Sequence, residues 1–117
     1  MSVLRIVANL PAPDPAATAE FYRDLLGLDV VMDHGWIITL AASGGDMVPQ
    51  LSIGSEGGSD TSLPDISIEV DDVEAVFARV LHAGHEITYP LTDEPWGVRR
   101  FFVRDPAGNV ANIVMHL

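Results

Sequence analysis

The sequence predicts an α+β fold built from two βαβββ modules, and three observations lead to this prediction. Two stretches show the apolar spacing of an amphipathic helix. Each stretch lies between an aspartate that can cap a helix and a glycine that can end one. In the first these residues are Asp14 and Gly27, and in the second they are Asp71 or Asp72, and Gly84. Each stretch is preceded by one apolar segment and followed by three, so the chain contains a weak internal repeat.

The first module starts with a predicted strand at Val3–Ala8 and continues with a helix at about residues 15–26. Pro15 follows the capping Asp14, and proline suits the first turn of a helix because its missing N–H would have no partner there. Gly27 supplies the left-handed conformation that ends many helices. Three predicted strands follow, with turns at Asp33–Gly35 and Ser43–Asp46 between them: Leu28–Met32, Trp36–Ala42 and Met47–Gly54.

The second module repeats this order after a Gly- and Ser-rich segment at residues 55–64, which has the composition of a linker. A strand at Asp65–Val70 leads into a helix at about residues 72–83, whose apolar stripe comprises Val73, Val76, Phe77, Val80 and Leu81. The last three strands are predicted at Glu86–Tyr89, Val98–Arg104 and Asn109–His116. One βαβββ unit cannot cover both faces of its sheet. We therefore expect the modules at residues 1–54 and 65–117 to form a single domain, 1–117.

The composition indicates what class of protein this is and which kinds of partner it can bind. The chain has 117 residues, 48% of them hydrophobic and 20% charged, which is ordinary for a folded protein. It has no apolar run long enough to cross a membrane, no visible signal peptide and no cysteine, so we expect a cytoplasmic protein. The net charge of −11 argues against nucleic acid, because phosphates would be repelled, and it favours the capture of cations.

Two segments identify a family resemblance. One runs from Glu94 to Asn109 and contains Pro95-Trp96-Gly97 and Arg104-Asp105-Pro106-Ala107-Gly108-Asn109; the other is Phe21-Tyr22 followed by Leu25-Leu26-Gly27-Leu28. Together with the duplicated βαβββ pattern, they resemble the glyoxalase, bleomycin-resistance and extradiol-dioxygenase (vicinal oxygen chelate) superfamily, and within it the bleomycin-resistance-like proteins most. The resemblance implies a curved, mostly antiparallel mixed sheet with a ligand cleft. It identifies the fold better than the chemistry.

The resemblance also places the family's metal ligands, and most of those positions carry the wrong side chains here. Metal-dependent members hold the ion with four His or Glu residues, and alignment puts these positions at Val7, Gln50, Asp65 and Asn112. Valine has no donor, and neutral amides bind transition metals poorly. We therefore predict no metal and no cofactor. Of the four histidines, His116 alone shares strand parity with Asn112 and could reach the mouth of the cleft.

Strand alternation and the aromatic residues define the candidate ligand-binding set. Its members are Gln50, Asp65, Ser67, Glu69, Trp96, Arg100, Phe102, Asn112 and Trp36. Three of them have structural alternatives. Trp96 could instead form a rigid corner, Trp36 could pack in the core or a dimer interface, and Arg100 could pair with a nearby carboxylate such as Glu94.

Three functions remain open. The first is a metal-free protein that sequesters an aromatic, possibly cationic small molecule, for which antibiotic resistance is implied by resemblance alone. The second is a superfamily enzyme, a lyase, isomerase or dioxygenase with an atypical site, in which Asp65 or Glu69 would act as general base. The third is an interaction module with a vestigial cleft. In each case we expect a homodimer, since sheet edges invite pairing, and neither nucleic acid nor membrane as a partner.

Overall fold

A computed structural model describes residues 1–45 and 47–117, so Asp46, in the turn predicted at Ser43–Asp46, lies outside the described residues. These residues form eight strands and two helices in the predicted order, which confirms the α+β class and the two βαβββ modules. The elements are β1 (Val3–Pro11), α1 (Pro15–Leu26), β2 (Asp29–Asp33), β3 (Ile37–Ala41), β4 (Gln50–Gly54), β5 (Ile66–Val70), α2 (Val73–Ala83), β6 (Ile87–Glu94), β7 (Val98–Arg104) and β8 (Val110–His116). Neither helix is long and apolar enough to span a membrane.

The chain divides into two compact units, of which one comprises Val7–Leu63. Its strands lie in the order β2-β3-β4-β1, with β1 and β4 parallel and the other neighbours antiparallel. Helix α1 begins where the side chain of Asp14 accepts a hydrogen bond from the N–H of Ala17 (3.3 Å), and it ends at Gly27 with φ of 67°. The buried core under this helix consists of Ala12, Ala19, Ile38, Leu40 and Ile53.

The other unit comprises Met1–Ile6 and Pro64–Leu117. Its strands lie in the order β5-β8-β7-β6, with β5 and β8 parallel and the other neighbours antiparallel. Helix α2 begins where Asp72 accepts a hydrogen bond from the N–H of Ala75 (3.1 Å) and ends at Gly84 with φ of 76°. The buried core of this unit consists of Val70, Val73, Val80, Phe101 and Ile113.

Two strands are longer than the patterns predicted. Strand β6 continues past Pro90 to Glu94, and its pairing with β7 shifts register on both sides of Tyr89. Proline is tolerated there because Pro90 is exposed and lies among these irregularities, where a missing N–H breaks no regular ladder. Strand β1 extends to Pro11 because residues beyond Ala8 continue to pair with β4.

The Gly- and Ser-rich segment between the modules contains an ordered turn. The N–H of Gly57 donates to the carbonyl of Thr61 (2.8 Å), and the N–H and hydroxyl of Thr61 both donate to the carbonyl of Gly58 (3.0 and 2.6 Å). Ser59 and Asp60 have φ of 49° and 62°, which is the left-handed region that side chains rarely adopt. Backbone hydrogen bonds therefore hold part of a segment whose composition is that of a flexible linker.

Candidate ligand-binding site

One face of the sheet in the second unit carries most of the predicted site residues. The side chains of Phe101 and Ile113 pack with α2 in the core. Because successive side chains on a strand point to opposite faces, Arg100, Phe102 and Asn112 lie on the face turned away from α2. We call this surface the polar face, and it comprises Ser67, Glu69, Arg100, Phe102, Asn112 and His116.

Asn112 lies in a cross-strand row, with Ser67 beside it on β5 and Phe102 beside it on β7. Its side chain is buried, with 8% of the residue exposed. The Nδ2 group donates a hydrogen bond to the hydroxyl of Ser67 (3.1 Å). Within residues 1–45 and 47–117, the buried Oδ1 has no hydrogen-bond partner. Buried polar atoms are nearly always hydrogen-bonded, so we expect a ligand or a water molecule to donate a hydrogen bond to this oxygen.

Glu69 lies two residues along β5 from Ser67, on the same face, and contacts two basic side chains. Its carboxylate lies 3.5 Å from Nε of Arg5 on β1, and its other oxygen contacts Nδ1 of His116. The side chain of Glu69 is 17% exposed and that of His116 is 55% exposed. The carboxylate is therefore shielded and paired, whereas the imidazole beside it is open to solvent.

Arg100 forms a buried ion pair, the structural alternative considered for it from the sequence. Its Nη2 lies 2.8 Å from Oε2 of Glu94, and the two side chains are 4% and 2% exposed. The hydroxyl of Tyr89 donates to the other oxygen of Glu94 (3.0 Å). The guanidinium carbon lies 5.3, 4.9 and 4.8 Å from the ring centroids of Tyr89, Trp96 and Phe102. The aromatic surfaces proposed for a ligand thus enclose a cation of the protein itself.

Three predicted site residues are not members of the polar face. Asp65 is exposed and precedes β5, where its side chain accepts a hydrogen bond from the N–H of Val110 (2.8 Å) and so joins the starts of β5 and β8. Gln50 and Trp36 belong to the unit Val7–Leu63. Gln50 is half-buried at the start of β4, and the half-buried ring of Trp36 stacks on His34 with a centroid separation of 5.9 Å.

Several polar residues of the two units were not predicted from the sequence. The candidate set omitted Arg5 and Tyr89. Arg5 belongs to no local pattern, and Tyr89 is the last residue of a strand that was predicted to end before Pro90. The unit Val7–Leu63 also contains a buried polar row in which Asn9, Ser52 and Thr39 are register neighbours. The hydroxyls of Thr39 and Ser52 lie 2.7 Å apart. Alternation within β3 could have revealed this row, because Thr39 interrupts an otherwise apolar strand.

The positions that the resemblance assigns to metal ligands do not fit a divalent ion. Val7 offers only hydrocarbon, Asn112 directs its amide nitrogen to Ser67, and the Asp65 carboxylate is engaged by the backbone of Val110. Among the residues that the structure describes, no three His, Cys, Asp or Glu side chains are grouped as a metal site requires.

The carboxylates with clearly shifted pKa values lie outside the polar face. Hydrogen bonds from Arg99 lower the pKa of Asp93, on β6, and of Glu74, in the first turn of α2. Hydrogen bonds from the side chain and backbone of Asn109 lower the pKa of Asp105 in the hairpin between β7 and β8.

Comparison with known proteins gives the family context. A family model described as the Glyoxalase/Bleomycin resistance protein/Dioxygenase superfamily matches residues 4–113. CFP32 of Mycobacterium bovis and Mycobacterium tuberculosis, a protein that carries the name glyoxylase, is 28% identical over 106 residues. That match covers 86% of this chain and 41% of CFP32, so the chain spans about two-fifths of the length of the curated relatives it matches.

Several solved structures share the fold. A superfamily member from Vibrio splendidus matches with a TM-score of 0.71 and 19% identity, covering 99% of this chain and 100% of its own. A protein described as NAD-dependent benzaldehyde dehydrogenase from Legionella pneumophila gives 0.77 and 16%, covering 97% and 100%. A variant of Streptomyces coelicolor methylmalonyl-CoA epimerase bound to 2-nitronate-propionyl-CoA gives 0.74 and 20%, covering 98% and 99%. At these identities the likeness concerns the fold alone.

Proposed function

This chain belongs to the glyoxalase/bleomycin resistance protein/dioxygenase superfamily, and we propose that within it the chain binds a small aromatic molecule, without a metal and without turnover. The observation that carries this proposal is the buried Oδ1 of Asn112, which has no hydrogen-bond partner in the described part of the chain. A buried polar atom without a partner lowers the stability of the folded state, and a ligand that donates a hydrogen bond to it would remove this penalty.

The surroundings of Asn112 support an aromatic ligand. Phe102 lies beside it in register, and Trp96 is half-buried above Arg100. Small-molecule sites typically combine apolar and aromatic walls with a few polar groups that orient the ligand. The polar face has this composition, with Ser67 and Asn112 as the orienting pair.

The proposal is tested by asking what the purified protein binds and whether it changes it. Native mass spectrometry and thermal-shift screening of aromatic compounds should identify a ligand that is recovered unchanged after prolonged incubation. Elemental analysis should find no stoichiometric transition metal. One equivalent of zinc, nickel, iron or manganese per chain, retained through dialysis, would contradict the metal-free part of the proposal.

A second candidate function, an enzyme that moves a proton, is favoured by the contact between Glu69 and His116. A carboxylate that holds Nδ1–H of a histidine leaves Nε2 as a base, and the 55% exposed imidazole could meet a substrate. Of the two carboxylates considered as bases from the sequence, Asp65 binds the backbone of Val110, whereas Glu69 orients the histidine, so that the base is His116. Conversion of a bound compound, lost in Glu69→Gln while binding persists, would establish the enzyme.

A further inference from the structure

The carboxylates around the polar face are already paired within the chain. Glu69 contacts both Arg5 and His116. Glu94, which is almost fully buried, is bound by Arg100 and by the hydroxyl of Tyr89. A ligand cation would therefore have to compete with an internal cation for either carboxylate. Separating a buried pair leaves an uncompensated charge, which is strongly unfavourable.

The aromatic rings and the basic side chains are engaged in the same way. The Arg100 guanidinium lies 4.9 Å from the ring centroid of Trp96 and 4.8 Å from that of Phe102. A ligand cation stacked on either ring would be repelled by Arg100, since both would draw on the same ring electrons. An anion would have to compete with Glu94 for the charge of Arg100, or with Glu69 for that of Arg5. The contacts of the face thus disfavour ligands of either charge.

In the described part of the chain, Asn112 lacks a hydrogen-bond donor for its carbonyl oxygen. The Oδ1 of Asn112 is a neutral acceptor, and its partner Nδ2 is already directed to Ser67. We infer that the ligand of the polar face is an electrically neutral aromatic molecule whose N–H or O–H group donates a hydrogen bond to Oδ1 of Asn112. This inference rests on the proposed function and narrows its ligand class.

The net charge of −11 favours a cation at long range, whereas the contacts of the polar face disfavour a cation at short range. A diffuse acidic field raises the local concentration of cations, but salt screens it beyond about 8–10 Å at physiological ionic strength. Contact selectivity depends instead on groups within hydrogen-bond distance. On the polar face those groups include internal ion pairs and the unmatched amide oxygen of Asn112.

Four planar probes of nearly equal size separate these possibilities. Benzamide is neutral and donates N–H, acetophenone is neutral without a donor, benzamidinium is a cation and benzoate is an anion. Titrations followed by protein NMR should show benzamide binding about tenfold more tightly than the others, as expected for one additional satisfied buried acceptor. Its affinity should be insensitive to salt between about 0.02 and about 0.5 M, because no Coulomb attraction is involved.

Substitutions of Asn112 show whether the selectivity originates there. Asn112→Leu should remove the preference for benzamide over acetophenone. Asn112→Asp should shift the preference to benzamidinium and make binding salt-dependent, because an unpaired carboxylate replaces the amide. Thr88→Val, an apolar change at an exposed position of β6, should leave the order of the probes unchanged.

These titrations can contradict either the inference of a neutral ligand or the proposed binding function. If benzamidinium or benzoate binds best to the unsubstituted protein, the inference of a neutral ligand is overturned and the proposed binding function stands. If Asn112→Leu keeps the benzamide preference, Oδ1 is not the recognising atom and the inference is overturned as well. If none of the four probes causes saturable shifts at millimolar concentration, the proposed binding function itself is contradicted.

Discussion

Asn112 keeps a buried carbonyl oxygen without a hydrogen-bond partner among the residues described, and such an atom lowers folded-state stability by about 1–3 kcal/mol. Proteins often retain destabilising groups at sites where function requires them. The hydrogen bond from Nδ2 to Ser67 gives the amide nitrogen a partner and leaves the amide oxygen without one. Removal of this oxygen should therefore leave the folded state as stable or more stable, and should weaken ligand binding.

We predict this opposition for Asn112→Leu. The variant loses one hydrogen bond, worth about 1 kcal/mol, and one unmatched buried oxygen, which costs about 1–3 kcal/mol. The free energy of unfolding measured in urea should thus stay constant or rise by up to about 2 kcal/mol, while binding of aromatic ligands weakens. Ser67→Ala, which loses the bond and keeps the oxygen, should be less stable. A loss above about 2 kcal/mol in Asn112→Leu would show that Oδ1 has a structural partner.

A second prediction at this scale concerns Gly57 in the turn between the modules. A Cβ atom there would lie 2.3 Å from Oγ1 of Thr61 and 2.4 Å from the carbonyl oxygen of Ser62. Because the second contact is with backbone, Gly57→Ala should lower the free energy of unfolding by about 1–3 kcal/mol, the usual cost of overpacking. Gly45→Ala is the matched control, since its nearest contact would be 3.7 Å. Equal melting temperatures for the two variants would count against the ordered turn.

At the scale of the element, alternation on β7 and β8 separates a helix-facing core from the polar face. Phe101 and Ile113 pack under α2, and Phe77 of that helix meets Phe101 with a ring separation of 5.0 Å. The intervening Arg100 and Asn112 face the other way. A shift of one residue in the β7–β8 register would exchange these two sets, so the hairpin that sets the register affects the site directly.

Asp105 organises that hairpin and makes its stability depend on pH. Its carboxylate accepts hydrogen bonds from Nδ2 of Asn109 (3.0 Å) and from the N–H groups of Asn109 and Ala107 (both 2.9 Å). These bonds lower the pKa of Asp105 below its ordinary value of 3.8. A carboxylate with a depressed folded-state pKa stabilises the protein above its unfolded-state pKa, and this contribution disappears as the pH falls through the folded-state pKa.

We therefore predict that Asp105→Asn is less stable than the unsubstituted protein near neutral pH. The difference should shrink as the pH is lowered below about 4, because protonation then removes the same charge from the unsubstituted protein. Urea unfolding at a series of pH values measures both curves. Glu86→Gln, at an exposed pair with Arg104, is a control that should show a smaller difference. Parallel curves for Asp105→Asn and the unsubstituted protein would refute the assignment.

At the scale of the whole molecule, each unit leaves large apolar side chains exposed. In one unit these include Phe21 and Leu25 on α1, and in the other they include Leu4 and Ile6 on β1. Exposed apolar clusters commonly mark surfaces that associate with another protein. The structure contains a single chain, so the homodimer expected from the sequence stays a prediction.

We predict a dimer in solution at about 20 μM chain, with a molar mass twice that of one chain by light scattering. Charged substitutions at the exposed apolar positions Phe21 and Leu25 should weaken it if α1 forms the contact, whereas changes at Leu4 and Ile6 would implicate β1. A monomer at this concentration would contradict the prediction. The ligand titrations should be repeated on any monomeric variant, to ask whether binding needs the partner.

Local signals in the sequence determined the elements and their faces. Asp14 and Asp72 cap the helices at the predicted positions, and Gly27 and Gly84 end them in the left-handed conformation. These signals could be read because a cap or a stop acts within three or four residues of the chain. Period-two alternation likewise placed Asn112 on the face opposite Ile113 and Met115 of β8. The exceptions include β1, which continues past Ala8 to Pro11, and β6, where Pro90 suggested an end that an edge strand does not require.

The charge pairs and contacts of the candidate site follow from the tertiary fold and not from local patterns. Glu69 meets Arg5 and His116, which are far from it in sequence, and no local pattern encodes which strands lie side by side. Arg100 pairs with Glu94 inside a ring of aromatic side chains, so a residue suited to bind an anion is engaged by the protein. The physical reason is that capping and alternation are short-range properties of the backbone. Hydrogen-bond satisfaction and charge pairing depend instead on all the groups that folding brings within a few ångströms.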